Sequence, residues 1–268
     1  MCKCNILILI FAISLYSSGC TQNIRDDESA TKVIAHRGAW KESGLPQNSL
    51  ASFRKAINLG CNGSEFDVSM TVDDSLVIAH GPMHQGLRIA ITPYQELIAK
   101  KLSNGEQLST LREFIAAGSY DNNYTTFICE IKGQATPERK YRVAEKVISH
   151  FKKADLLDQV LFIGFDYEIM KHLIDISPGV KVHYLGKNKT MNELASAGFS
   201  GVSYRYRYFQ QHPELIDLGR SLGLKLNTGT VNDSLVMDWF ITRGFDYIGT
   251  DEPELLLRRV VNSHSQKE

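Results

Sequence analysis

Residues 160–184 read VLFIGFDYEIMKHLIDISPGVKVHY. The short apolar runs 160–165 and 181–184 predict strands, and 167–176 predicts a helix between them. A strand, a helix and a second strand in so short a span form the crossover unit of a parallel sheet, since parallel neighbours need a long connection. The same alternation covers the chain outward from this unit. Strands are expected at 32–35, 64–68, 76–79, 126–131, 201–204, 225–227 and 247–249. Helices are expected at 49–59 (ended by Gly60), 108–117, 137–151 (with Pro137 at its start), 191–197, 213–222 and 234–244. About eight strands over this length favour a closed α/β barrel of the (β/α)8 TIM type, in a single domain, over an open sheet. In such a barrel the crossovers are right-handed, helices cover the outside and the chemistry sits at the C-terminal ends of the strands.

Composition fits one such domain. The chain has 268 residues, 43% hydrophobic and 22% charged, and a barrel takes roughly 250. Thirty basic residues balance thirty acidic ones, so no surplus of charge recruits nucleic acid or an anionic membrane surface. If the protein handles phosphate, it does so with a few placed groups.

The first residues differ in kind. Lys3 is followed by a largely apolar run over 6–16, then by Ser17, Ser18, Gly19 and Cys20. Eleven residues are too few to span a bilayer, and the pattern predicts an export signal over 1–20. Its end resembles a bacterial lipobox, with Cys20 as the acylated first residue of the mature chain, although Ser17 stands where Leu is usual. Plain secretion is the alternative. Residues 21–31 are polar and read as a flexible tether, 32–260 as the barrel and 261–268 as a polar tail. Of the five cysteines only Cys61 and Cys129 fall in the mature domain. Export permits a disulfide between them, but two small buried apolar side chains are the simpler reading.

Ionisable groups gather at strand ends in the first half. His36-Arg37-Gly38 follows the first strand. Glu65 and Asp67 stand two apart on one strand, so their carboxylates face one side. His80 follows 76–79, and Glu130 and Lys132 share a face of 127–132. Carboxylates in apolar strands are costly unless paired or on a metal. Internal ion pairs, such as Glu130 with Lys132 or Arg37, explain any one of them. Three facing one lumen repel one another, and a hard divalent cation, Ca2+ or Mg2+, resolves that.

These residues sit in longer motifs. Leu45-Pro46-Gln47-Asn48-Ser49 with Ser52-Phe53 follows His36-Arg37-Gly38. Gly63-Ser64-Glu65-Phe66-Asp67-Val68 comes with Thr71, Asp73 and His80. Then come Gly105-Glu106, Thr110-Leu111, Glu130-Ile131-Lys132, Thr230-Val231-Asn232 and Thr250-Asp251-Glu252-Pro253. Together, over about residues 33–257, they resemble the glycerophosphodiester phosphodiesterase family. The resemblance implies a (β/α)8 barrel that hydrolyses glycerophosphodiesters to glycerol 3-phosphate and an alcohol. It implies Glu65, Asp67 and Glu130 as ligands of one divalent cation, His36 and His80 as the acid–base pair (His36 the base, His80 the acid), and Arg37 and Lys132 as the groups that grip phosphate. Water or the neighbouring glycerol hydroxyl could be the nucleophile.

Three positions depart from the family pattern: Gln47 stands for Glu, Gly81 for an Asp after His80, and Gly229 for a Trp before Thr230-Val231-Asn232. The last opens the substrate pocket. His84 reads as a solvated loop histidine or a second base. Tyr204-Arg205-Tyr206-Arg207-Tyr208 reads as rim packing or as a site for a phosphorylated head group or lipid surface. The competing functions are a related phosphodiesterase acting on lysophospholipids or glycerol phosphate polymers, and a non-catalytic lipoprotein that binds phosphodiesters.

Overall fold

The computed structural model describes residues 30–265. In chain order the strands are β1 (Lys32–Ala35), β2 (Gly63–Met70), β3 (Leu76–Ile78), β4 (Met83–His84), β5 (Leu87–Arg88), β6 (Thr126–Ile131), β7 (Val160–Gly164), β8 (Lys181–Tyr184), β9 (Gly201–Arg205), β10 (Lys225–Gly229) and β11 (Tyr247–Thr250). Eight of them form the barrel. The order β1-β11-β10-β9-β8-β7-β6-β2 is parallel throughout, and the pairing of β1 with β2, Ile34 opposite Gly63, closes it. Helices follow the barrel strands and pack outside.

The 76–79 run is not a barrel strand. β3 runs antiparallel along the far end of β2, with Val68 opposite Ile78. It opens an excursion that carries the β4–β5 hairpin, one turn of helix at Tyr94–Leu97 and a satellite core of Val77, Ala79, Ile89, Leu97 and Leu108. The helix expected at 108–117 begins later, at Leu111–Ser119, because Ser109 and Thr110 still bond to β3.

Local chemistry sets the helix ends. Ser49 caps Leu50–Leu59 in a capping box with Ser52, and Gly60 closes it at φ 73°, the left-handed turn glycine accepts without strain. Thr136 caps Pro137–Lys153, with proline in the first turn, where its missing N–H costs nothing. The last helix, Pro253–Ser265, runs into the stretch read as a polar tail. The signal, Cys20 and most of the tether lie outside the described residues. No disulfide joins Cys61 and Cys129; both are buried.

The two-residue period of the strands divides the core. Phe66, Phe127 and Phe162 point outward to the helices, where Phe66 meets Phe114 at 4.7 Å and Phe127 meets Phe151 at 5.8 Å. Each such ring contributes roughly 1.5–3 kcal/mol by burial. The inner faces hold a smaller cluster of Ile34, Ile128, Leu161 and Ile163. Gly63 keeps that lumen open to them: a Cβ there would lie 2.8 Å from Ile128. Above this plug the inward positions turn polar.

Candidate active site

The same parity that buries Ile34, Ile128 and Ile163 places His36, Glu130 and Phe165 two residues further on, at the C-terminal mouth of the barrel. Glu65, Lys132, Arg205, Asn227 and Gly229 also line this mouth, a cavity of about 710 Å3. Of the seven residues singled out for chemistry, all but Asp67 line it directly, and Asp67 lies beneath, bonded to three of the others.

Arg37 organises the near wall. It sits at φ 57°, a left-handed conformation that is strained for a side-chain-bearing residue. Its backbone N–H donates to Glu65 Oε2 at 2.7 Å, and its Nη1 donates to Gln47 Oε1 at 2.6 Å. The amide at 47 therefore holds this arginine without the carboxylate usual there. Gly38 follows at φ 83°, and a Cβ on it would lie 2.4 Å from Ser52 Oγ, so the turn demands glycine. Glu106 fixes the next segment by accepting from the N–H groups of Leu50 and Ala51 at the start of their helix.

The three carboxylates converge: one oxygen each of Glu65, Asp67 and Glu130 lie within 4.8 Å of one another. Asp67 accepts from Asn48 Nδ2 at 2.7 Å and His80 Nδ1 at 3.1 Å, and Lys132 Nζ lies 2.5 Å from its other oxygen. Lys132 also pairs with Glu130. Burial alone would raise Asp67, but His80, Lys132 and Asn48 outweigh it and hold the carboxyl well below the usual range. Glu65 goes the other way. Burial pushes it well above the ordinary value, and Asp67 and Glu130 push further. Burial likewise raises Glu130. Glu65 Oε1 is buried with no hydrogen-bond partner. An orphaned oxygen among three crowded carboxylates fits a hard divalent cation.

The histidines are oriented by acceptors and donors of fixed kind. His36 Nδ1 lies 2.7 Å from Asp251 Oδ1. A carboxylate accepts only, so Nδ1 carries the proton and Nε2 is left for the cavity. Asn232 donates to the second oxygen of Asp251 at 2.8 Å and accepts its backbone N–H at 2.9 Å. Burial would raise Asp251, but the bonds from His36 and Asn232 hold it below its ordinary value. His80 Nε2 lies 3.2 Å from Arg37 Nη2. Arginine donates only, so this Nε2 accepts and Nδ1–H points to Asp67. His80 does not reach the mouth from the end of a barrel strand. β3 doubles back along β2, Ala79 N–H bonds Asp67 O at 2.9 Å, and the next residue is delivered beside the Asp67 carboxylate. Asp67 orients it, which replaces the Asp expected at 81.

His84 stays away. It is buried in the β4–β5 hairpin with Nε2 2.9 Å from Lys100 O, so it is neither a solvated loop residue nor a second base. The 204–208 cluster divides. Tyr204 is buried against Phe209, whereas Arg205, Tyr206 and Arg207 line the cavity. Asp251, Asn232 and Asn48 were visible only as motif letters; their partners lie 215, 19 and 19 residues away.

Residues 36–255 match the Glycerophosphoryl diester phosphodiesterase family. A protein of Caldanaerobacter subterraneus subsp. tengcongensis named glycerophosphodiester phosphodiesterase is 27% identical over 244 residues, covering 86% of this chain and 98% of that one. The crystal structure of a glycerophosphodiester phosphodiesterase from Parabacteroides distasonis superposes with a TM-score of 0.84 at 37% identity, over 88% of this chain and 99% of that one. An Oleispira antarctica phosphodiesterase, solved with its product sn-glycerol-3-phosphate, shares the fold with a TM-score of 0.74 at 22% identity, over 87% and 97% of the chains.

Proposed function

The chain belongs to the Glycerophosphoryl diester phosphodiesterase family, and on that premise we propose that it hydrolyses glycerophosphodiesters to glycerol 3-phosphate and an alcohol with help from one divalent cation. That it is a phosphodiesterase on a parallel eight-stranded barrel follows from the family. The cation and the residue roles are our reading.

Glu65, Asp67 and Glu130 would hold the cation. The orphaned Oε1 of Glu65, in a group whose neighbours already disfavour its charge, carries that assignment. Bound there, Ca2+ or Mg2+ would neutralise charge on the phosphoryl oxygens. Arg37 and Lys132 add to this from either side of the carboxylates. Arginine presents a planar fork, and lysine a mobile ammonium whose stem lets it turn from Asp67 to a phosphate oxygen. His36 Nε2 takes the proton of the attacking hydroxyl, either water or the glycerol hydroxyl next to the phosphate, and Asp251 steadies the imidazolium. When Arg37 turns to the phosphate, His80 Nε2 is released to take up a proton from solvent, and the imidazolium so formed, with Nδ1–H still on Asp67, protonates the departing alkoxide. One P–O bond forms to the nucleophile and one breaks to the alcohol; where the glycerol hydroxyl is the nucleophile, a water must then add to the cyclic phosphate and break its ring P–O bond to give glycerol 3-phosphate.

The product seen in the Oleispira antarctica relative supports glycerol 3-phosphate as the retained half. We also propose that the chain is exported and tied to a membrane through lipid on Cys20, from the sequence of the first twenty residues. Stable attachment takes more than one acyl chain. Mass spectrometry of the mature protein tests this, and an unmodified Cys20 defeats it. Hydrolysis of glycerophosphocholine by residues 21–268, with and without chelator, tests the main reading. No turnover with either Ca2+ or Mg2+ present overturns it.

A further inference from the structure

The cavity has a second charged wall. Around the barrel, β1 stands opposite β8, and β2 opposite β9. Arg37, Glu65 and Lys132 therefore occupy one half of the mouth, and Lys187, which follows β8, with Arg205 at the end of β9 and Arg207 just beyond it, line the other. On the near side the cations are neutralised by Asp67 and Glu130. On the far side they are not. Among the described residues, none of Lys187, Arg205 or Arg207 takes part in an ion pair. Lys187 lies over the Tyr208 ring at 4.1 Å, and Arg207 Nε donates to the Tyr206 hydroxyl. Among the described residues, the carboxylates that line the cavity, Glu65 and Glu130, belong to the opposite half.

The register explains why this charge is open to the cavity. Gly229 on β10 pairs directly with Arg205 on β9, and both point into the mouth. A large side chain at 229 would cover the Arg205 stem; glycine leaves it bare. Built space exists there, since a Cβ on Gly229 meets nothing nearer than 3.4 Å.

From this we infer that Lys187, Arg205 and Arg207 form a second oxyanion site that selects glycerophosphodiesters whose alcohol carries a further phosphate. The inference rests on the phosphodiesterase reading above. The glycerol end of such a diester offers only hydroxyls, which give three unneutralised cations nothing to pair with. The alcohol end is the part that varies, and a phosphate on it accepts several charge-assisted hydrogen bonds at once. Because the cations line the cavity, the geometry favours a soluble ligand's phosphate over a lipid surface.

A matched pair of substrates tests this: glycerophosphoglycerol, and the same diester with a phosphate on its distal glycerol. The wild-type chain should prefer the phosphorylated one by about tenfold or more in kcat/KM, mostly through KM, as loss or gain of one charged hydrogen bond implies. Lys187→Gln, Arg205→Gln and Arg207→Gln should each lower that ratio, and the triple variant should bring it near one. Hydrolysis of both diesters at equal efficiency by the wild type, or an unchanged ratio in the triple variant, overturns the anion site and leaves the phosphodiesterase reading standing. Hydrolysis of neither overturns both. A flat ratio together with binding to anionic phospholipid vesicles that the triple variant loses overturns the substrate site in favour of a membrane contact.

Discussion

His36 and Asp251 lie 215 residues apart in sequence, yet their Nδ1 and Oδ1 atoms are 2.7 Å apart across the seam where β1 meets β11. The pair fixes the imidazole tautomer, and Asn232 fixes the carboxylate. Against its burial, the bonds from His36 and Asn232 hold the Asp251 carboxyl below its ordinary value, so it stays charged through neutral pH. Asp251→Asn keeps the shape but removes the charge. We expect kcat to fall by roughly 10²- to 10⁴-fold, with little change in thermal stability. Asn232→Ala should cost less, because it leaves the charge in place. Unchanged kcat in Asp251→Asn would sink the proposed role of His36.

The three buried carboxylates make cation binding a matter of stability as well as of rate. Burial, then Asp67 and Glu130, raise Glu65 in the metal-free protein. A raised acid contributes stability below its unfolded value of 4.5 that is lost as pH rises through its folded value. The Glu65 contribution to metal-free stability, read as the difference between wild type and Glu65→Gln, should therefore decline as pH rises toward neutral, against the opposite trend that His183 imposes below 6.5. Added Ca2+ or Mg2+ should reverse the decline, by about 2.7 kcal/mol at a hundredfold excess over Kd. Glu65→Gln should flatten the pH dependence and weaken cation binding together. Melts that ignore both chelator and Glu65→Gln would refute the assignment.

Much of this was legible because local rules decide it. The spacing of Glu65 and Asp67 puts both inside, and Ser49 and Gly60 bracket a helix by capping chemistry alone. What was hidden depends on pairing across distance. Nothing in 76–79 distinguishes a barrel strand from one that doubles back, because both are short apolar runs; only the antiparallel register with Val68 separates them. The same holds for Asp251, whose role is set by barrel closure, and for Arg205, whose exposure is set by Gly229 on the neighbouring strand. The helix Tyr206–Gln211 was obscured by its own tyrosines, which suit strands, while Phe209 anchors it to the core.

His183 sits on the inner face of β8, fully buried near Tyr247, with Nδ1 unpaired. Burial pushes it down to about 3, and Lys225 adds to this against the opposing effect of Asp246. The native chain holds it neutral, whereas the unfolded chain protonates it below 6.5. Its contribution is present above that value and is lost as pH falls toward 3, by about 1.4 kcal/mol per unit, or roughly 2 kcal/mol by pH 5. Urea melts of His183→Leu at neutral pH and near pH 5 should show a smaller loss than wild type. The wild-type ring should also stay neutral by NMR near pH 5, which serves if the variant folds poorly. A protonated His183 there would contradict the account.

The last prediction separates the two histidines. His36 reaches the cavity from β1 and His80 from β3, so each addresses a bound phosphate from its own side. A general acid matters most when the leaving group departs badly. Choline's alkoxide needs a proton, whereas a nitrophenolate leaves without one. Removing general acid–base help costs roughly 10²- to 10⁴-fold. His80→Ala should lose most of that on glycerophosphocholine and much less on a nitrophenyl ester of glycerol phosphate. His36→Ala should damage both alike, since the attack is common to them. Leaving-group sensitivity in His36→Ala instead would exchange the two roles. If both variants keep full activity on both esters, the site is elsewhere, whatever the fold.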